Sequence, residues 1–183
     1  MYDTNATLLG SIPVTAPDLV SVSKKTGAVY VLRRGSGVLS LAKFSGWRNN
    51  PTQIATVLIT TNVSNTGRYQ PATPSLALVE GETQTTLYVG YQTIGIRSYS
   101  DNGTTLDLVR DFSQNINSSL TFERIAVDPK NERIFWTRGA RSYAVNFTIS
   151  DWSNPIPKKM QTASKQPFYL DNLTVAPNGL LYG

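Results

Sequence analysis

One pattern recurs along the chain and limits its fold more than any other feature. Leu19 to Val31 (LVSVSKKTGAVYV) reads as an alternating strand, a polar turn and a second alternating strand. Arg124 to Trp136 (RIAVDPKNERIFW) repeats it, Asn172 to Tyr182 (NLTVAPNGLLY) repeats it with a shorter turn, and Pro74 to Val89 (PSLALVEGETQTTLYV) with a longer one. The equivalent positions Val22, Leu78, Val127 and Val175 lie 56, 49 and 48 residues apart. A period near 50 residues, filled by short alternating segments, is the length of one four-stranded antiparallel unit that cannot bury its faces alone.

The match runs past the hairpin. Trp47 and Trp152 each fall 25 residues after an anchor, at Val22 and Val127, and each is followed within four residues by Asn-Pro. We read both as packing anchors between neighbouring units. Alternation places four strands in the first unit, at 19–23, 28–32, 38–44 and 54–61. It places four in the second, at 76–79, 87–92, 94–100 and 106–112. The third carries 124–127, 133–137, 142–148 and a weak outer strand near 158–161. Thr7–Val14 reads as an outer strand ahead of the first complete unit.

The expected fold is therefore an all-β β-propeller of four-stranded antiparallel blades, one region over 1–183. Its parts are a leading outer strand (1–17), blades at 18–61, 74–112 and 123–162, and the start of a further blade at 171–183. About 50 residues per blade gives roughly 300 for a six-bladed ring. The arc is thus expected to be incomplete, and to be closed by more of the same polypeptide or by a neighbouring subunit on its open blade edge.

Composition agrees with short strands and polar turns: 40% of residues are hydrophobic and only 16% charged. No apolar run is long enough for a membrane helix, so no membrane span is predicted. The start, Met1 to Asn5, has neither the basic nor the apolar region of a signal peptide, so either the numbering follows processing or that route is not used. The chain has no cysteine and no histidine, which removes disulfides, thiolate nucleophiles, imidazole bases and His- or Cys-ligated zinc. The net charge is +5, but Lys and Arg are scattered, with Lys24-Lys25, Arg33-Arg34 and Lys158-Lys159 as the tightest groups. Phosphate backbones want a stripe of cations on one face, so nucleic acid is not an expected partner.

The hairpin Ile125 to Thr137 (IAVDPKNERIFWT) resembles the NHL and YWTD repeats of six-bladed propellers. Val29 to Gly35 (VYVLRRG) and Pro167 to Val175 (PFYLDNLTV) are similar to stretches of peptidyl-hydroxyglycine lyases, within the NHL class. That resemblance puts the family's catalytic arginine on Arg34. It finds no counterpart for the zinc histidines, because Asp171-Asn172 follows Leu170. Arg138, before Gly139, holds the place of Arg34 in the third blade, so Arg34 also reads as a plain repeat position.

One constellation comes from the repeat alignment. Asp18, Pro74, Glu123 and Asp171 each stand four residues before an anchor, where a first strand begins. Three carboxylates converging on one channel mouth would repel and raise one another's pKa values. Ca²⁺, with Asn172 adding a carbonyl, would relieve that, and calcium-dependent lactonase-type propellers place acids and Asn similarly. The other reading has these acids bonded to turn amides or to an arginine such as Arg124. Asp128 is expected to cap its own hairpin, and Glu80 and Glu82 to be solvated in a loop. Asn-X-Ser/Thr sequons occur at Asn5, Asn62, Asn102, Asn117, Asn146 and Asn172, six of thirteen asparagines. That is about twice the chance number and favours a secreted or cell-surface glycoprotein, with Asn172 the least accessible. The function expected is a non-catalytic module that binds a protein or glycan partner, with no cofactor. The alternative is a calcium-assisted lactonase- or lyase-like enzyme working at Asp18, Glu123 and Asp171.

Overall fold

The computed structural model describes residues 10–46, 51–63, 74–91, 94–112, 125–138, 141–146, 156–159, 173–176 and 178–182. Every regular element among them is a strand, and every paired neighbour is antiparallel. The first sheet is β1 (Pro17–Val22), β2 (Val29–Gly35), β3 (Val38–Phe44) and β4 (Gln53–Thr60), in chain order. The second is β5 (Ser75–Glu80), β6 (Thr85–Tyr91), β7 (Gly95–Asp101) and β8 (Leu106–Asp111). The third is β9 (Ile125–Asp128), β10 (Arg133–Arg138), β11 (Arg141–Asn146) and β12 (Ile156–Lys159). A two-stranded hairpin, β13 (Thr174–Val175) and β14 (Leu181–Tyr182), follows.

Local chemistry explains these meanders. The β2–β3 connection is Ser36-Gly37, with φ of 52° and 78°. Two consecutive positive φ values make the tight turn whose twist matches antiparallel strands, and Gly37 adopts its part without a Cβ penalty. Val22, Leu78, Val127 and Val175 lie on β1, β5, β9 and β13, the first strand of each sheet. Each faces an apolar partner on the next strand: Val29, Leu87, Ile134 and Leu181.

The sheets stack face to face. Tyr30, Leu32, Leu39 and Leu41 of the first sheet pack with Leu87, Val89, Tyr91 and Tyr99 of the second. Tyr88, Ile96 and Phe112 pack with Ile125, Ile134 and Trp136 of the third. Successive first strands are neighbours in space, β1 beside β5, β5 beside β9 and β9 beside β13. Period-2 alternation buries both faces of the middle sheets, which is why their strands read as nearly continuous apolar runs.

Two expectations fail at the ends. Residues 10–14 of the anticipated Thr7–Val14 strand form no strand, and residues 7–9 lie outside the described ones. Pro13 has no N–H to give a ladder, yet Ile12 and Val14 still pack on Val29, Val31, Ala42 and Phe44. The weak outer strand of the third sheet sits at Ile156–Lys159, two residues earlier than expected. Trp47 and Trp152 lie outside the described residues.

Candidate functional site

The first strands end in hairpins on one side of the stack and begin on the other, so two rims can be distinguished. At the starting rim, Arg34 Nε lies 2.7 Å from Asp18 Oδ2, both side chains largely buried. The approach is that of an ion pair; among the described residues no donor makes a hydrogen bond to that oxygen. Arg34 supplies the positive charge that a cation would otherwise bring to Asp18. Glu123, Asp171 and Asn172, the other members of the anticipated calcium site, lie outside the described residues. Among the described residues no three acidic side chains are placed to share a metal ion.

The opposite rim carries a cleft of about 260 Å³. Its walls are equivalent segments of three successive repeats, Leu78–Glu80, Val127–Pro129 and Val175–Ala176, with Lys130 at the side. The aliphatic side chains of Leu78, Val127 and Val175 are half-buried. Both carboxylates of the walls are engaged. Asp128 is buried and accepts from Asn131 N at 3.2 Å, Asn131 Nδ2 at 2.7 Å and Arg133 Nη2 at 2.7 Å. Burial would raise its pKa, but those bonds outweigh it and hold it below the usual carboxylate range. Asp128 is therefore the hairpin cap that Val-Asp-Pro suggests.

Glu80 departs from expectation. It is the last residue of β5, half-buried, and not a loop acid. Its Oε1 accepts from Ser23 Oγ at 2.6 Å and from Lys25 N at 3.0 Å, both on the first sheet's hairpin. The Ser23 bond, helped by the Lys25 amide, keeps Glu80 ionised to lower pH than usual. Lys25 Nζ also donates to Gly81 O, so one hairpin is clipped to the next sheet from both sides.

A second cleft, about 240 Å³, opens where the β1–β2 turn at Lys25 meets the β5–β6 turn at Gly81–Thr85 and the β7–β8 turn at Gly103. On its floor Lys43 Nζ lies 2.7 Å from Asp101 Oδ1 and donates to Gly103 O at 2.6 Å. Both side chains of the pair are less than a tenth exposed. Tyr30 Oη donates to Asp101 Oδ2, and Gly103 N donates to Oδ1 at 2.8 Å. Burial pushes Tyr30 upward, and the bond to Asp101 adds to it. Asp101 is shifted down: burial opposes, but Lys43, Tyr30 and the Gly103 amide prevail. Sequence reasoning passed over this cluster, although a signal existed. Period 2 puts Lys43 on the same face as Leu39 and Leu41, where a cation needs a partner.

Of the sequon asparagines, Asn62 and Asn102 are exposed. The Asn102 amide is tied in: Oδ1 accepts from Ser100 Oγ at 2.9 Å, and Nδ2 donates to Asp107. Asn146 closes β11, while Asn5, Asn117 and Asn172 lie outside the described residues.

The class defined by these features is an all-β array of four-stranded antiparallel sheets stacked in tandem. No protein-family model and no curated protein matches the sequence. Solved structures with a similar chain course include the following two. One is a GH43 glycoside hydrolase with an engineered active site that displays both endo-xylanase and exo-arabinofuranosidase activity. It is 16% identical with a TM-score of 0.49 over 88% of this chain. The other is Raptor from Chaetomium thermophilum, 11% identical with a TM-score of 0.44 over 89% of this chain. The chain spans 33% and 18% of those proteins, and at these scores neither bears on its activity.

Proposed function

We propose that the chain is an arc of a β-propeller that serves as a non-catalytic binding module, secreted or displayed at a cell surface. The observation that carries this reading is the 260 Å³ cleft lined by equivalent positions of three repeats. Its acids, Glu80 and Asp128, are spent on holding hairpins together, and its walls present aliphatic side chains with Lys130 beside them. Such a surface offers contact area and a cation for a protein or glycan partner. The neighbouring first strands support a propeller arrangement, in which the cleft would lie near the central axis. The Asp18–Arg34 pair supports the same choice over a calcium-assisted lactonase or lyase, because the guanidinium already neutralises an acid that reading needs free.

A glycan array and an immobilised panel of extracellular proteins, together with lactone and aryl-ester substrates in calcium buffer, separate the two. Saturable binding that falls at least tenfold in Val79→Arg/Lys130→Glu, with no turnover, is the expected result. Turnover that disappears with Asp18→Asn would overturn the reading. The surface location has its own check. Intact mass of natively sourced protein should show N-linked sugar at one or more of Asn5, Asn62, Asn102, Asn117 and Asn146. Bare asparagine at all five would return the protein to the cell interior.

A further inference from the structure

The repeat does not require the Lys43–Asp101 pair. Lys43 on β3 stands opposite Tyr30, the residue after Val29. The equivalent places are Ser98, opposite Tyr88 in the second sheet, and Ala144, opposite Phe135 in the third. Ser98 is 2% exposed, so the same kind of stacking closes over a small neutral side chain. A buried ion pair is weak evidence of stability, because desolvation of its charges offsets much of their attraction. Two apolar groups would join the first and second sheets as well. Ionisable side chains buried where packing does not ask for them mark a candidate site.

Both members of the pair line the cleft of about 240 Å³. The Lys43 ammonium has three N–H groups, and among the described residues it donates to Asp101 Oδ1 and Gly103 O, which leaves one for a ligand. Asp101 Oδ1 accepts from Lys43 Nζ at 2.7 Å and from Gly103 N at 2.8 Å, whereas Oδ2 accepts from Tyr30 Oη alone among them. A carboxylate oxygen takes two donors, so Oδ2 keeps a lone pair. A spare donor and a spare acceptor therefore sit on neighbouring groups of one floor. Thr26, Thr83 and Thr85 add hydroxyls around them, and no apolar side chain lines the cleft. The charges of the walls balance, Lys25 and Lys43 against Glu82 and Asp101.

We propose that this cleft is a second binding site, separate from the 260 Å³ one, and that it holds a single neutral sugar ring by a vicinal diol. One hydroxyl of the diol accepts the free N–H of Lys43, and its neighbour donates to Asp101 Oδ2. The threonine hydroxyls, which donate or accept as needed, meet the rest of the ring. The volume lies below the roughly 300–1,000 Å³ of sites that take drug-sized ligands, which suits one ring and no more. A phosphate or carboxylate would face Asp101, an ammonium would face Lys43, and an apolar ring would leave both without their bonds.

The test is saturation-transfer NMR of the 183-residue chain with a panel of neutral methyl glycosides at millimolar concentration. The expected result is transfer to at least one glycoside with a free vicinal diol, and none to its analogue lacking one of those two hydroxyls. Lys43→Met/Asp101→Leu should weaken binding roughly tenfold or more, because two charge-assisted hydrogen bonds are lost. Thr83→Trp, which puts a ring into the cleft from an exposed turn and leaves the pair intact, should abolish it. That variant decides the matter if the double one loses its near-ultraviolet circular dichroism. Array glycans that end in the same sugar separate a glycan terminus from a free monosaccharide as the ligand. No transfer to any neutral glycoside overturns the proposal. So does binding that survives in a folded variant, or that inorganic phosphate displaces.

Discussion

Asp101→Ala is expected to lower the unfolding free energy by about 3–5 kcal/mol, because it strands the Lys43 ammonium in the interior. Lys43 is 7% exposed, and its described acceptors are Asp101 Oδ1 and Gly103 O. Removal of the carboxylate leaves the charge with one carbonyl and also removes the acceptor of the Tyr30 hydroxyl. Urea unfolding of the two proteins reads the difference directly. The pair replacement Lys43→Met/Asp101→Leu should recover most of the loss, since two apolar groups of similar size need no compensation. If the single variant unfolds within about 1 kcal/mol of the parent, the cluster is wetter than its burial implies.

The same cluster sets a pH dependence. Asp101 has its folded pKa held below the ordinary value, so the folded state binds fewer protons than the unfolded chain in acid. Its stabilisation is complete above about pH 4, the unfolded value, and is lost as pH falls through the folded value. Asp128 and Glu80 shift the same way and add to the acid loss. Tyr30 is shifted upward, so its share is present below about pH 10 and fades as pH rises toward the folded value. Asp101→Ala should therefore flatten both limbs of the stability–pH curve, the alkaline one because Tyr30 loses its carboxylate neighbour.

Trp136→Ala is expected to cost about 3–5 kcal/mol, the range for truncating a large aromatic in a packed core. Trp136 is fully buried where Tyr88, Ile96 and Phe112 of the second sheet meet Ile125 and Ile134 of the third. The void lies between two sheets whose backbones are fixed by their own ladders, so little collapse can fill it. The denaturation midpoint should fall with an unchanged slope, while Trp136→Phe loses much less. A loss below about 1.5 kcal/mol for the alanine variant would mean that this inter-sheet contact is loose.

Much of the architecture was legible because it is local. Side chains alternate along a strand, so Val38–Phe44 could be bounded to the residue from apolar periodicity and its Ser-Gly turn. The repeat offsets placed Val22, Leu78, Val127 and Val175 on first strands because each hairpin carries the same alternation and turn chemistry. Asp128 was readable as a cap because the groups it binds, Asn131 and Arg133, lie three and five residues away.

What stayed hidden depends on how one sheet lies on another. Lys43 meets Asp101 across 58 residues, Ser23 meets Glu80 across 57, and Tyr30 meets Asp101 across 71. Alternation says which face a side chain takes but not which rim of the next sheet comes opposite, since that follows from twist and packing distance. Hence Glu80 looked like a solvated loop acid, when Ser23 of the preceding sheet holds it. Residues 10–14 likewise read as a strand from their alternation, and only the tertiary structure shows that no ladder receives them. The sequence by itself determined the repeat, the strands and the faces they bury, because those are properties of short windows. Which charges meet, where the cleft opens and what covers the first sheet were decided by the stacking, because those contacts join residues that no local period relates.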